Sequence, residues 1–349
     1  MKKLLFFFIS ILFTSCNVHE FPEEESRKRI PFLLNLNFNT EMPLHQEIIY
    51  ARSGDVATKG ATSGHDIRYT INAYRNDDGR GNSRVAEETF ILTKSNHANL
   101  NHTAQLELEE GTYDFRIWAD YVEHGSDDDK YYDTSNFSEI ILANKDNHPG
   151  SNDYRDAFRG YASAQIAAKG DNQVTAEMKR PMGKFKFVST DVDLFLSRVV
   201  EMMQNRGLLA DVDMASDSKA AIQSINLNDF KVVFRYNAFM PCSFNMFTDK
   251  PADSWTGMSF TSNMQIENEK EMALGHDYIF VNGTTTTLSL SVEVYNKEGE
   301  LLSSTRPIDV PIVRSKLTVV RGEFLTSKAT GGVSINPGYD GEDYNIEIY

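Results

Sequence analysis

The sequence predicts an all-β protein built as two tandem β-sandwich domains, with one short helix in the second. Three observations carry this reading. Apolar residues recur at every second position through most of the chain, glycine-containing turns separate those runs, and only residues 191–206 switch to helical spacing. Alternation marks strands with one buried face. Many short strands with turn signals between them suit sandwiches.

The strands follow in order. Phe32, Leu34, Leu36 and Phe38 alternate with Leu33, Asn35, Asn37 and Asn39. Tyr69, Ile71 and Ala73 alternate with Arg68, Thr70 and Asn72. Ala104, Leu106 and Leu108 run into Glu109-Glu110-Gly111, and Tyr113, Phe115, Ile117, Ala119 and Tyr121 return, which is a hairpin pattern. In the second half Phe185 and Phe187 share a face, as do Phe230, Val232, Phe234 and Tyr236. Leu288, Leu290, Val292 and Val294 reach a turn at Asn296-Lys297-Glu298-Gly299, and Leu301 and Leu302 resume. Leu317 and Val319 form another run, and Tyr344, Ile346 and Ile348 close the chain.

Both halves open with a strand, cross a gap, and continue with a second strand and a hairpin. Domains are therefore expected at 31–178 and 179–349, with the join near Thr175 to Arg180, where Pro181 and Gly183 interrupt. The helix places Val192, Phe195, Leu196, Val199, Val200 and Met203 on one stripe. Thr190 and Asp191 suit its start and Gly207 its end. It is expected to cover the end of a sandwich. The polar stretches 52–66 and 123–136 read as loops, with 124–130 exposed to solvent.

The N-terminus sets compartment and topology. Lys2 and Lys3 precede an apolar run from Leu4 to Phe13, followed by Thr14-Ser15-Cys16. The run is about half the length needed to span a bilayer. Its order resembles a bacterial lipoprotein signal. The resemblance implies a signal peptide at 1–15, cleavage before Cys16, and acylation of Cys16. Residues 16–30 then read as a lipidated flexible tether, too charged for a packed core. Glu23 to Glu25 resemble the surface-export signal of Bacteroidetes lipoproteins, which implies the outer face of the outer membrane. The chain carries a net charge of −15, and losing Lys2 and Lys3 makes it more acidic. Such a surface disfavours nucleic acid, which needs cationic side chains on its phosphates. Membrane attachment would come from acyl chains, since each buried methylene contributes about 0.8 kcal/mol. With Cys16 lipidated, Cys242 has no partner. It lies between Met240 and Phe244 and reads as a buried, inert thiol.

Catalytic patterns are missing from the sequence: no Gly-x-Ser-x-Gly, no His-Glu-x-x-His and no Cys-x-x-Cys. Gly54 to Thr62 resembles a phosphate loop only faintly, without the Lys-Ser/Thr pair. His97 and His102 fall on opposite faces of a regular strand. Asp127 to Asp129 read as a hydrated acidic run. Asn336, Asp340, Gly341 and Glu347 echo a calcium loop, but Gly338 stands where a ligand is needed. No catalytic, metal-binding or cofactor residue is assigned. Trp118 alternates away from the core face of its strand and is the possible ligand contact, with Trp255 the other tryptophan available to stack on sugar. A covering loop or neighbouring domain is the competing reading for Trp118.

Several stretches resemble the fimbrillin-like lipoproteins of Bacteroidales. They are residues 111–121 (the Gly-Thr-Tyr-Asp-Phe-Arg-Ile-Trp hairpin), Arg155-Asp156-Ala157-Phe158-Arg159-Gly160, Arg180-Pro181-Met182-Gly183-Lys184-Phe185, and residues 310–326. The family includes anchor and accessory subunits of type V pili. The resemblance implies two transthyretin-like sandwiches, outer-membrane attachment, fimbrial partner subunits and assembly by strand donation. A sheet edge offers unpaired N–H and C=O groups that an alternating extended segment can satisfy. Residues 344–349 have such a pattern, but read first as the last strand of their own domain. Arg52 resembles the maturation site of stalk subunits, but cutting there would sever body from lipid. The function expected is a non-enzymatic surface lipoprotein that anchors or assembles a pilus, or acts as an adhesin. The alternative is a glycan-binding lipoprotein of a polysaccharide-uptake system.

Overall fold

The alternation in the sequence becomes strands whose apolar faces meet in two pairs of sheets. The computed structural model describes residues 28–42, 44–48, 64–76, 86–95, 99–207, 225–327, 333–334 and 347–348. Seven strands build the first sandwich: β1 (Ile30–Phe38), β2 (His65–Arg75), β3 (Glu88–Lys94), β4 (His102–Leu108), β5 (Gly111–Glu123), β6 (Ala157–Ile166) and β7 (Gln173–Met178). Seven more build the second: β8 (Met182–Ser189), β9 (Phe230–Tyr236), β10 (Ser259–Ser262), β11 (Glu271–Phe280), β12 (Thr285–Asn296), β13 (Ile308–Val313) and β14 (Leu317–Gly322).

The pairing repeats with an offset of one sandwich. In the first, β1 lies between β7, parallel, and β4, antiparallel. The facing sheet runs β3-β2-β5-β6. In the second, β8 lies between β14, parallel, and β11, antiparallel. Its facing sheet runs β10-β9-β12, with β13 also on β12. The all-β double sandwich is thus present. One core holds Phe32, Leu34, Tyr69, Ile71, Phe115 and Ile117, and the other holds Phe185, Phe187, Phe234, Val292 and Val320.

Extra strands join the halves. Leu44–Ile48 leaves the first sandwich and lies parallel to β14 of the second. Tyr132–Asp133 and Ile140–Leu142, inserted between β5 and β6, form a four-stranded sheet with Ser243–Asn245 and Lys250–Pro251 of the second half. Residues 123–136, read as a loop, therefore contain a short strand. Gly183 makes the join close. A Cβ there would collide with the backbone carbonyl of Val313 and the side chain of Ile312, so only glycine fits.

The helix α1 (Val192–Asn205) buries Val192, Phe195, Leu196, Val199 and Val200, and Phe195 meets Phe230 edge-on at 5.3 Å. Gly207 ends it at φ +69° with its N–H on Gln204 O. Asp191 serves differently from the expected cap. Its carboxylate makes no helix-capping bond and instead accepts from Thr326 N (2.8 Å), Thr326 Oγ1 (2.6 Å) and Ser189 Oγ (2.5 Å).

Trp118 takes the covered of its two sequence readings, and the ligand-contact reading falls. Alternation does turn it away from the first core, but that face of the sheet is covered by the second half. Trp118 is 0% exposed and packs against Tyr132 at 5.4 Å and against Phe244 and Phe280 at 6.4 Å. No ring face is open to a ligand. Trp118→Ala is expected to cost about 3–5 kcal/mol in urea unfolding of the whole chain, as for a buried aromatic. A loss within 0.5 kcal/mol, typical of a surface site, would contradict this placement.

Candidate functional site

A buried polar cluster lies where the insertion of the first half meets the second sandwich. Asp277 on β11 is 1% exposed. Arg155 Nη1 donates to its Oδ1, and the Tyr236 hydroxyl from β9 donates to its Oδ2. His148 Nε2 lies 2.7 Å from Oδ2, and Tyr278 N–H donates to Oδ1 at 2.7 Å. His148 and Arg155 belong to the insertion between β5 and β6, so partners from both halves converge on one carboxylate. The Tyr132 hydroxyl, from the same insertion, donates to Arg155 O. Burial alone would push Asp277 up. The Arg155 guanidinium, with His148 and the Tyr236 hydroxyl, outweighs it and holds the carboxyl below the usual range. Burial and the same guanidinium keep His148 neutral more readily than a free histidine. Histidine, carboxylate and tyrosine side by side resemble acid–base machinery, but His148, Asp277 and Tyr236 are all buried. Their chemistry is to hold two bodies together.

A second pin is the hairpin formed by Ser243–Asn245 and Lys250–Pro251, which reaches onto the first sandwich. Asp249, in the left-handed conformation at φ +55°, accepts from Arg159 Nε at 2.7 Å and from Arg314 Nη1 at 2.8 Å. Arg116 of β5 donates to Met246 O at 2.8 Å and lies 4.4 Å from the Phe247 ring centre. Main-chain bonds Leu142 N to Cys242 O (2.8 Å) and Met246 N to Phe137 O (2.9 Å) continue the stitching.

A cleft of about 330 Å³ opens beside the join. Phe38, Thr40, Asn99, Asn101, Tyr121 and the Asp156–Arg180 pair contribute to its lining. Arg180 Nε and Nη2 both meet Asp156 at 2.7 Å, while Nη1 donates to Thr40 O and Glu41 O at 3.1 Å. The guanidinium rests 4.6 Å from the Phe158 ring centre. Arg180 thereby fixes the chain as it leaves β1 for the second sandwich.

Other sequence-marked residues fall as follows. Cys242 is buried and free, and burial, with Asp253 nearby, pushes its thiol up to about 12. His102 stacks on Tyr69 at 5.2 Å, and His97 lies outside the described residues. Asp127 to Asp129 are exposed, yet Asp129 pairs with Arg68 at 2.8 Å and holds the Thr134 hydroxyl at 2.9 Å. Among the described residues no group of three His, Cys, Asp or Glu side chains is placed to share a metal. Cys16, Arg52, Gly54 to Thr62, Asn336, Asp340 and Gly341 lie outside the described residues. Of residues 344–349, only Glu347–Ile348 is described, paired with Val333–Ser334. Sequence reasoning missed Asp277, Asp249 and His148. Arg155, Arg159, Arg180 and Arg314 lie in the stretches that carry the family resemblance, which says nothing of their partners.

Comparison with known proteins gives one family and a set of loosely similar structures. A model described as a family of unknown function (DUF6562) matches residues 32–349. No curated protein matches. A structure from Bacteroides eggerthii, named provisionally for cell adhesion, has 13% identity and a TM-score of 0.42, over 91% of this chain and 94% of that one. The fimbrial anchor protein Mfa2 of Porphyromonas gingivalis has 8% identity and a TM-score of 0.37, over 79% and 82%. A Bacteroides thetaiotaomicron structure, named provisionally for polysaccharide binding, has 10% identity and a TM-score of 0.39, over 78% and 79%.

The Asp277 cluster yields a stability prediction with a definite sign. A carboxyl whose folded pKa lies below its unfolded one contributes fully above the unfolded value, near 4, and loses that contribution as pH falls through the folded value. Asp277→Ala leaves Arg155 buried without its counter-charge, which costs about 3–5 kcal/mol. Urea titrations should show that gap at pH 7 and a narrowing gap below about pH 4. A gap independent of pH would contradict the assignment.

Proposed function

We propose that this chain, which belongs to the family of unknown function DUF6562, is a non-enzymatic lipoprotein of fimbrillin type. It is held on the outer face of the outer membrane by acyl chains on Cys16, and it anchors or assembles a pilus, or acts as an adhesin, through β-strand complementation. The observation that carries this reading is the combination of a sealed seam with sheet edges at the periphery. Asp277, Asp249 and the Ile140–Leu142 to Ser243–Asn245 pairing bind the sandwiches into one stiff body. Edge strands such as β3 and β4 each pair on one side only among the described residues. Stiffness suits a protein that holds a filament base or presents a binding surface. An open edge suits main-chain recognition of an extended partner segment.

The N-terminus supplies the other half of the reading. Cys16 stands at the end of the short greasy run, and the charged residues 17–29 separate it from β1. Fully extended, that spacer reaches at most about 50 Å. Two or more acyl chains give a stable hold where one does not.

A Cys16→Ala variant should leave the membrane fraction of its own cells while keeping its thermal unfolding profile, and the parent should be cut by protease added to whole cells. Full retention of the variant in the membrane would overturn the anchoring. Co-expression of the tethered chain with candidate pilins should give a strand-complemented complex by crosslinking. No such complex with any of them would remove the pilus role.

The glycan-binding alternative no longer has Trp118, but the 330 Å³ cleft offers it amide groups and aromatic rings together. A glycan-array signal abolished by Asn99→Ala with Asn101→Ala would favour it, and an array without signal would count against it.

A further inference from the structure

The internal repeat allows one sandwich to be compared with the other, strand for strand. On one side of the second sandwich, the mouth between β10 and β11 is filled. The segment around Ser151, from the insertion between β5 and β6, lies in it. Ser151 N–H donates to His276 O on β11 at 2.8 Å, and its hydroxyl donates to Ser262 Oγ on β10 at 2.7 Å. Gly150 lies so close over the Phe260 ring that a Cβ would collide with it. Gln265–Asn268 also pairs along the outer edge of β11. Phe260 is consequently 3% exposed.

The equivalent mouth of the first sandwich lies between β3 and β4. Phe90 and Leu92 occupy the positions that Phe260 and Ser262 occupy in the second, opposite Ile71 and Tyr69. Both pack against the first core, yet both stay only half-buried. Among the described residues β4 pairs with β1 alone, and no strand lies on its outer edge. Arg29 spans the mouth at one end, bonding the Glu88 carboxylate and Glu107 O. That end is acidic. Glu87, Glu88, Glu107, Glu109 and Glu110 gather there, and Arg75 meets Glu87 and Glu109 at 3.3 and 3.1 Å.

We propose that the mouth between β3 and β4 binds an extended segment of a partner chain, with apolar side chains at alternate positions and lysine or arginine at the end facing Glu107 and Glu110. This rests on the reading of the protein as one that works through strand complementation, and it names the edge and the chemistry of the partner. The segment pairs with the outer edge of β4, and its alternate apolar side chains cover Phe90 and Leu92 as Gly150 covers Phe260. Its basic flank meets the acidic end.

The test uses the full mature chain and three synthetic peptides of equal length. One carries two lysines followed by alternating threonine and valine. The second has the same composition with its valines contiguous. The third replaces the lysines with glutamates. Fluorescence anisotropy gives affinities, and hydrogen exchange locates binding. The alternating basic peptide should bind and slow exchange across residues 88–94 and 102–108, with the other two at least tenfold weaker. Glu107→Lys with Glu110→Lys, both exposed, should weaken it tenfold. Ile91→Lys, on the opposite face of β3, should leave it unchanged. Equal binding of all peptides, protection at another edge, or no binding would overturn the site. A crosslinked pilin complex whose protection maps outside 88–108 would sink this site alone and leave strand complementation standing. Absence of both complex and protection would sink the two together.

Discussion

A buried carboxylate must be matched by donors, and Asp277 is matched from both halves of the chain at once. Taking one such charge out of water costs several kcal/mol unless its oxygens are fully paired. Arg155 and His148 arrive from the insertion in the first half, and Tyr236 and the Tyr278 N–H from the second. Neither half satisfies the group alone. The carboxylate therefore favours the docked arrangement over any partly opened one. Trp118, Phe244 and Phe280 exclude water around the same seam, which strengthens each charged hydrogen bond inside it.

The strands were readable because a half-buried strand has to write its inner face every second residue. Phe32 to Phe38, Tyr113 to Tyr121 and Phe230 to Tyr236 all do so. The helix was readable for the same reason at another period, and Gly207 because its left-handed backbone favours glycine. The seam was not readable. Alternation tells that Trp118 leaves one core, but a sheet has two faces, and nothing local says that the second is covered by a chain segment more than a hundred residues away. Asp191 had the right type and place for a helix cap, yet the backbone of Thr326 claimed its carboxylate.

The arginines show how a motif can be visible while its meaning is hidden. Arg155, Arg159, Arg180 and Arg314 all fell within stretches that carried the family resemblance. Each proves to hold the seam or the join: Arg155 on Asp277, Arg159 and Arg314 on Asp249, Arg180 on Asp156. Gly183 belongs with them through its contact with Val313. The arginines' partners lie from 24 to 122 residues away, beyond the reach of any local pattern. Those letters record how two sandwiches are fused. One topology is repeated twice, and among the described residues the mouth between β10 and β11 is filled while the outer edge of β4 carries no strand.

The fused seam is the claim on which the rest stands, and an interspin distance tests it most directly. Spin labels introduced at Thr175→Cys on β7 and Thr261→Cys on β10 occupy exposed sites on the two sandwiches, while the buried Cys242 thiol stays unlabelled. Pulsed dipolar spectroscopy should give a single narrow distance distribution in the intact chain. A broad or two-peaked distribution would show sandwiches that move independently and would contradict the seam.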